Sequence, residues 1–547
     1  MERYIDLKQP MATYPSQLYT HITQTYTNKQ IFLAVFAIFL AYKVTDTIYV
    51  AFFGPLSKIP GPFILKFTEM PDVIGNLRGR AHESRIAYHL KYGDVVRIGP
   101  NTLSFGGADQ VKQIMINLDL PKGTVYKLFR PAGGRVNLFS ETDKAAAKVR
   151  RRLMANGFSV SYLKNVHPLI LKVVETFCDV VDERIEKDGK DGEVVMDLYH
   201  PLSLFAADVI GESAFGSSFD LLTNSDNETE FANMIGANFR KAVVGSVFPF
   251  IKYIGFNNYE PLIDEYLQRG LQKRQLAGGK RNDLWQYYMD TSEANPKEFD
   301  AVSMNMELHL LVMAGGDTTS RALIFLIRLL VDHPEHLRTL ENEITNAIYP
   351  NKIPIPASDI KALPVMKDDE LSKLSFLDAC IHETLRLFGP IQNGFVRIAD
   401  KDCNIMGTYV PTGTNVVANG HVTHLDPKIY PNPNKWDPTR WLPQPPDSLY
   451  PDNLHQLSKH HFYPFSAGSR NCIGKAFAMT EMRFAMVMFL ARFTLGDVVE
   501  GQSWDFTNFI TLHFTDNRYL VRVKRRFRES GKSVDGEQAV VMPKVLG

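Results

Sequence analysis

The sequence is poor in cysteine and carries no excess charge of either sign. Its four cysteines, Cys178, Cys380, Cys403 and Cys472, lie far apart in 547 residues and form no Cys-x-x-Cys pair. That argues against a disulfide framework and a zinc ribbon, and points to a reducing compartment. Lysine and arginine number 61 against 60 aspartate and glutamate, a formal net charge of +1, so no global field draws the chain to nucleic acid or acidic substrates. Any basic docking surface has to be local. Gly/Ser linkers, low-complexity tracts and internal repeats are missing too. Length alone would suggest three or four domains, but without such boundaries one large domain is expected. With 45% hydrophobic and 22% charged residues, the chain has ample material for a core.

One hydrophobic run is long. Ile31 to Tyr42 reads IFLAVFAIFLAY and, after KVTDT, resumes as IYVAFFG, so Ile31 to Phe53 predicts one 23-residue helix. Roughly 17 to 25 residues span a bilayer. Lys43 and Asp46 lie three apart on one face and are costly at membrane depth. A buried or in-plane interfacial helix is the alternative. A cleaved signal fits worse, because about thirty residues precede the run and no small-residue cleavage site follows. Arg3, Lys8 and Lys29 before it, and Lys58 and Lys66 after it, leave orientation undecided. IPGP at Ile59 to Pro62 makes a stiff exit. The chain therefore divides into an N-terminal segment 1–30, an anchor 31–53, a Pro-rich hinge 54–62, a catalytic domain 63–528 and a polar tail 529–547.

Within that domain, Asp94 to Phe105 predicts two short strands around a Gly-Pro turn. Apolar residues at three- and four-residue spacing predict helices near 143–158, 166–187, 202–214 and 260–276. Strands return after Pro390. The expected class is mainly α with small β-sheets (α+β).

Three motifs carry chemistry. FSAGSRNCIG, Phe465 to Gly474, precedes an amphipathic run that should be a helix, so Cys472 sits where peptide N–H groups and the helix dipole favour thiolate. Gly468 permits a tight turn, Gly474 lets a flat cofactor approach the backbone, and Phe465 can pack near the sulfur. A lone cysteine before a helix is ordinarily a small buried hydrophobe. A phosphate loop is excluded, since Gly468 to Gly474 is one residue too long and Ala476 stands where Ser or Thr is required. Second, AGGDTT at Ala314 to Thr319 interrupts a long helical pattern, Met304 to Leu330. Two mid-helix glycines, Gly315 and Gly316, cost about 1 kcal/mol each and need a reason, such as a kink or widened turn that makes room beside Ala314. The plain alternative is a packed helix with Thr318 bonded back to a carbonyl and Asp317 in a surface ion pair. Third, HETLRL places Glu383 and Arg386 three apart on one helix face, and WDPTRW supplies Arg440 as a possible partner. His421 and His424 have His-x-x-His spacing, but loop packing outweighs metal binding there.

The spacing Phe-x-x-Gly-x-Arg-x-Cys-x-Gly resembles the haem-binding signature of the cytochromes P-450, and AGGDTT is similar to that family's oxygen-activation motif. The resemblance runs from the IPGP hinge nearly to the end of the chain. It implies the cytochrome P-450 fold behind an N-terminal membrane-anchor helix, haem b ligated by Cys472, and insertion of one atom of O2 into a C–H bond. It also implies that Asp317 and Thr318 deliver protons and that Arg470, Arg151 and Arg397 meet haem carboxylates. Ala314 admits substrate, and Glu383, Arg386 and Arg440 brace the haem-side core. Two departures stand out: Thr439 replaces the usual glutamate, and Ala147 replaces the usual aromatic or histidine four residues before Arg151.

Only 75 residues follow Cys472, so electrons are expected from a separate NADPH-dependent flavoprotein reductase, on the cytosolic face of the endoplasmic reticulum membrane. Pocket candidates by family position are the segment 129–139, Phe248 to Tyr253, Met306, Leu310, Met313, Ile391 to Phe395 and Ile510 to Leu512, mostly apolar. They suit a bulky lipophilic molecule, and the style of the sequence resembles fungal members that hydroxylate steroids or terpenoids. A haem-thiolate isomerase or peroxide-using enzyme, and a non-catalytic haem sensor, are the other readings. The intact Asp317-Thr318 pair disfavours the first of these.

Overall fold

Thr27 starts the first helix. Its hydroxyl accepts from the Gln30 N–H at 3.3 Å while the Gln30 side chain accepts from the Thr27 N–H at 2.9 Å, a capping box that begins α1 (Asn28–Phe52) three residues before the apolar run. Only Ala51 of this helix is buried. Its N-terminal part stands clear of the protein, with Phe32, Ile38 and Tyr42 each more than half exposed, while Phe52 packs on Phe63 and Phe67, and the helix is long and apolar enough to cross a membrane. Its exit is tied down by buried Arg97, which donates to the carbonyls of Val50, Ala51 and Leu56 at 3.2 to 3.4 Å. The computed structural model describes residues 27–130, 135–224, parts of 234–248, 262–348, 368–444 and 454–526. Most of the expected N-terminal segment, the polar tail, residues 131–134 of one pocket segment and 249–253 of another lie outside the described residues.

The strands about the Gly-Pro turn form as expected. β1 (Val95–Gly99) pairs antiparallel with β2 (Thr102–Phe105) and begins a four-stranded sheet. Its order is β1-β2-β7-β4, with β4 at Phe395–Ile398 and β7 at Asn415–Ala418. A second sheet joins β3 (Glu193–Asp197), β11 (Leu520–Arg525) and β8 (Phe493–Leu495). Two hairpins complete the strands, β5 (Cys403–Ile405) with β6 (Thr408–Val410), and β9 (Phe506–Asn508) with β10 (Leu512–Phe514).

Helices dominate. α2 (Lys144–Ala155), capped by Asp143, matches the expected segment within a few residues, and α3 (Val160–Asp188), capped by Ser159, starts six residues before its expected position. α4 (Tyr199–Ile210) ends in a wider π-type turn, Gly211–Phe215. The core helix is α5 (Ala301–Asp332), capped by Asp300 and lying against α4, α6 (Ser375–Phe388) and α7 (Lys475–Arg492). It runs as unbroken α-helix through AGGDTT, with no widened turn. Helix packing accounts for Gly315 instead. A Cβ on Gly315 would collide with the Ile210 side chain, so the missing side chain lets α4 and α5 approach.

Candidate active site

A cavity of about 990 Å³ lies between α5 on one side and the Cys472 loop on the other. Its wall includes Leu310, Ala314, Thr318, Ile391, Phe395 and Phe139. Met306, Met313 and Ile510 to Leu512, expected at the pocket, do not line it; Met306 and Leu512 are buried in the surrounding core.

The loop that presents Cys472 is closed by its own backbone, because the Cys472 N–H donates to the Phe465 carbonyl at 2.8 Å. Gly468 has φ +69°, and a Cβ there would strike the Met115 carbonyl, so the tight turn requires glycine twice over. Gly474 is the N-cap of α7, and its N–H reaches toward the Cys472 sulfur. The sequence predicted a thiol shifted toward thiolate. Desolvation by the surrounding wall raises the thiol although the side chain faces the open cavity, and the Gly474 N–H and the charges of Arg151 and Lys475 pull it down, the helix-start effect expected from the sequence. A metal ion held at the sulfur would supply the missing stabilisation, since a coordinating thiol is deprotonated outright.

The residues fit haem. Cys472 lines the cavity with no group of three or more His, Cys, Asp or Glu side chains beside it among the described residues, a donor set that suits an iron whose other ligands come from a ring. A Cβ built on Gly474 would stand 3.9 Å from the sulfur, in space the glycine leaves open. Cations gather at the same cavity. Arg470 lines it with one buried guanidinium nitrogen lacking a partner, and Arg397 is buried there, donating to the neighbouring Val396 carbonyl at 3.1 Å. Arg151 also lines the cavity, but it is turned onto Asn471, donating to its carbonyl at 2.7 Å and to its side-chain oxygen.

Sequence reasoning missed Lys122. Its ammonium lines the cavity, donates to the carbonyls of Leu138 and Phe139 at 3.0 and 2.8 Å, and is pushed down to about 7 by burial and by Arg397 and Arg470. Ala147, where the family pattern has an aromatic or histidine, lines the same cavity. No local pattern marks a lone lysine in LPKGT as a cavity residue.

On the α5 side the two motif residues part company. Thr318 faces the cavity with its hydroxyl donating to the Ala314 carbonyl at 2.6 Å. Asp317 does not line it. Its carboxylate is buried and bound to Arg321 at 3.0 Å, to the Thr511 hydroxyl and to His513 at 3.4 Å, and these partners hold it well below the usual carboxylate range. The ion pair is therefore a buried one, where the plain alternative placed it on the surface.

Glu383, Arg386 and Arg440 are brought together and are all fully buried. Arg386 grips both Glu383 oxygens at 2.8 Å and Arg440 reaches one of them at 2.8 Å. The Trp441 ring N–H and the Asp437 N–H add 2.9 and 3.0 Å bonds to the same carboxylate. The remaining guanidinium protons go to backbone, including the carbonyls of His424, Pro433 and Pro431. His424 accepts from the Tyr463 N–H at 2.9 Å, a packing role.

The cytochrome P450 family model matches residues 58–522. The chain is a cytochrome P450. Cytochrome P450 monooxygenase FUS8 of Gibberella moniliformis is 32% identical over 480 residues, covering 87% of this chain and 90% of the relative. Cytochrome P450 monooxygenase acrD of Aspergillus aculeatus is 32% identical over 482 residues, with 87% and 92% covered. Cytochrome P450 monooxygenase LUC2 of a Fusarium species is 28% identical over 486 residues, with 87% and 90% covered. This P450 is accordingly an oxidoreductase of the monooxygenase type, using a haem-thiolate iron, O2, a redox partner and a small-molecule substrate.

Proposed function

We propose that this P450 hydroxylates a bulky lipophilic molecule of the steroid or terpenoid kind. In this reading it uses haem b and electrons from an NADPH-dependent flavoprotein reductase, with α1 holding the domain on the cytosolic face of the endoplasmic reticulum. The observation that carries the reading is the cavity itself, about 990 Å³ and walled mainly by apolar side chains between Cys472 and Thr318. When bound, the haem supplies an iron that activates oxygen, with the thiolate favouring O–O cleavage.

The protein's own residues divide the rest of the work. Cys472 holds the metal, and Arg470, Arg397 and Arg151 offer charge to the carboxylates of the ring. Leu310, Ile391 and Phe395 exclude water from the substrate. Ala314 leaves room next to Thr318, and the Thr318 hydroxyl, with Asp317 behind it, manages proton delivery.

The test is a panel of ligands added to the ferric protein. Steroids or terpenoids should displace iron-bound water and shift the haem toward high spin, and with reductase and NADPH should give hydroxylated product. If fatty acids or small aromatics do both while steroids and terpenoids do neither, the substrate class is wrong.

A further inference from the structure

Asp317 is joined to a second cavity by side chains that the proposed mechanism leaves without a job. This cavity, about 170 Å³, is lined by Tyr199, His200, Arg240, His513, Thr515 and Asn517 and shares no lining residue with the large one. Arg240 and Thr515 are exposed, so it reaches solvent. From it a line of hydrogen bonds runs inward. Tyr199 Oη donates to Asn517 Oδ1 at 2.9 Å and meets His513 Nδ1 at 2.8 Å. His513 Nε2 meets the Thr511 hydroxyl at 3.0 Å, and that hydroxyl donates to Asp317 Oδ2.

Counting hydrogens gives this line a direction. The single Thr511 hydroxyl hydrogen goes to Asp317, and the single Tyr199 hydrogen goes to Asn517 when His513 Nδ1 carries a proton. Both ring nitrogens of His513 therefore face oxygens with lone pairs only, an arrangement fully satisfied when the ring carries both protons. The groups facing the ring are mixed in sign: Asp317 and Arg321 from α5, Tyr199 from α4, and Arg240 across the small cavity. Burial and the two arginines oppose the second proton and outweigh Asp317, so the ring sits below the ordinary histidine value and gives that proton up readily. Arg321 is itself fixed, paired to Asp317 Oδ1, donating to Ser203 at 2.9 Å and stacked 4.1 Å over the Tyr199 ring.

We propose that His513 is the proton store for the Asp317-Thr318 pair, emptied through the Thr511 hydroxyl and refilled from the small cavity. The proposal rests on the reading of Asp317 and Thr318 as the proton-delivering pair. In the step, the His513 Nε2–H bond breaks as its proton passes to Thr511 Oγ, and the old Thr511 O–H bond breaks as that hydrogen passes to Asp317 Oδ2. Imidazolium and carboxylate both become neutral. Thr511 then accepts from Asp317 and donates to His513 Nε2, so no group is left unpaired. Tyr199 keeps the Nδ1 proton in place, and water in the small cavity, onto which His513 opens, replaces the proton that leaves.

The experiment uses the full-length, haem-loaded protein with reductase and no added substrate. NADPH consumption is followed from pH 6 to 9, in H2O and D2O. Reduction of the ferric protein under carbon monoxide is measured alongside, as a readout of electron delivery and folding. His513→Gln and Thr511→Val should leave reduction under carbon monoxide unchanged. They should slow NADPH consumption roughly a hundredfold, the low side of what positioned proton transfer contributes, and flatten its pH profile. Thr511→Ser, which keeps the hydroxyl, should retain the parent profile. If Asp317→Asn slows consumption while His513→Gln and Thr511→Val behave as the parent, His513 is not the store and this inference is overturned. If Asp317→Asn also behaves as the parent, the reading of the Asp317-Thr318 pair has failed as well.

Discussion

Lys122 and Arg397 oppose each other in an isolated antiparallel bridge, and both side chains reach the large cavity. Opposed residues of such a bridge present their side chains on the same face. The bridge is held by neighbouring bonds, Gly123 N–H to the Val396 carbonyl at 3.2 Å and Ile398 N–H to the Pro121 carbonyl at 3.0 Å. A lysine held at about 7 in this company is short of a counter-charge, and a haem carboxylate would provide one. Lys122→Met should therefore speed haem transfer to apomyoglobin by roughly tenfold or more, the equivalent of one charged hydrogen bond. Lys122→Arg should lose much less. An unchanged transfer rate in Lys122→Met would exclude the contact.

Gly315→Ala should destabilise the protein although alanine is the better helix former by about 1 kcal/mol. The new methyl meets Ile210 where α4 and α5 close on each other, and overpacking of this kind costs about 1 to 3 kcal/mol. Thermal midpoints of the single and double variants decide it. Ile210→Ala should recover part of the loss in the Gly315→Ala background, and a purely additive double variant would show that Ile210 is not the obstacle.

Glu383→Ala leaves Arg386 and Arg440 fully buried without their anion. Removing one partner of such a cluster costs about 3 to 5 kcal/mol. Most of the variant should misfold, and the red-shifted band of the ferrous carbon monoxide complex should fall in proportion. A haem-replete Glu383→Ala protein with the parent's thermal midpoint would contradict a bracing role.

Acid should destabilise the fold through buried histidines. Burial lowers His82 to about 4 and His421 to about 3 from an ordinary value of 6.5. Below 6.5 the unfolded chain binds protons that the folded one refuses. Their contribution is thus complete above about 6.5 and falls with pH toward 4, by up to about 1.4 kcal/mol per histidine and pH unit. His82 stacks 5.6 Å from Phe506 with neither ring nitrogen hydrogen-bonded, so His82→Phe should be tolerated. It should also flatten the decline in urea midpoint between pH 6.5 and 4.5, and an unchanged slope would remove His82 from the account.

Much of the site could be read from neighbours along the chain. The apolar length of α1, the two strands about Gly99-Pro100 and the Cys472 loop before α7 each depend on residues within a few positions of one another, where spacing and turn chemistry decide. Glu383 and Arg386, three apart on α6, belong to the same kind. Arg440 joins them from 57 residues away and was reached through family resemblance, since spacing within one helix says nothing of it.

Tertiary structure decided the rest. Which way Asp317 points depends on Arg321 one turn along and on Thr511 and His513 from the β9-β10 hairpin. The reason for Gly315 is Ile210 on α4. Lys122 reaches the cavity because its segment is bridged to Arg397 on β4. Local sequence determines which face of an element a side chain occupies, whereas burial, counter-charge and steric fit are properties of what is packed against that face, and in this protein those neighbours come from distant parts of the chain.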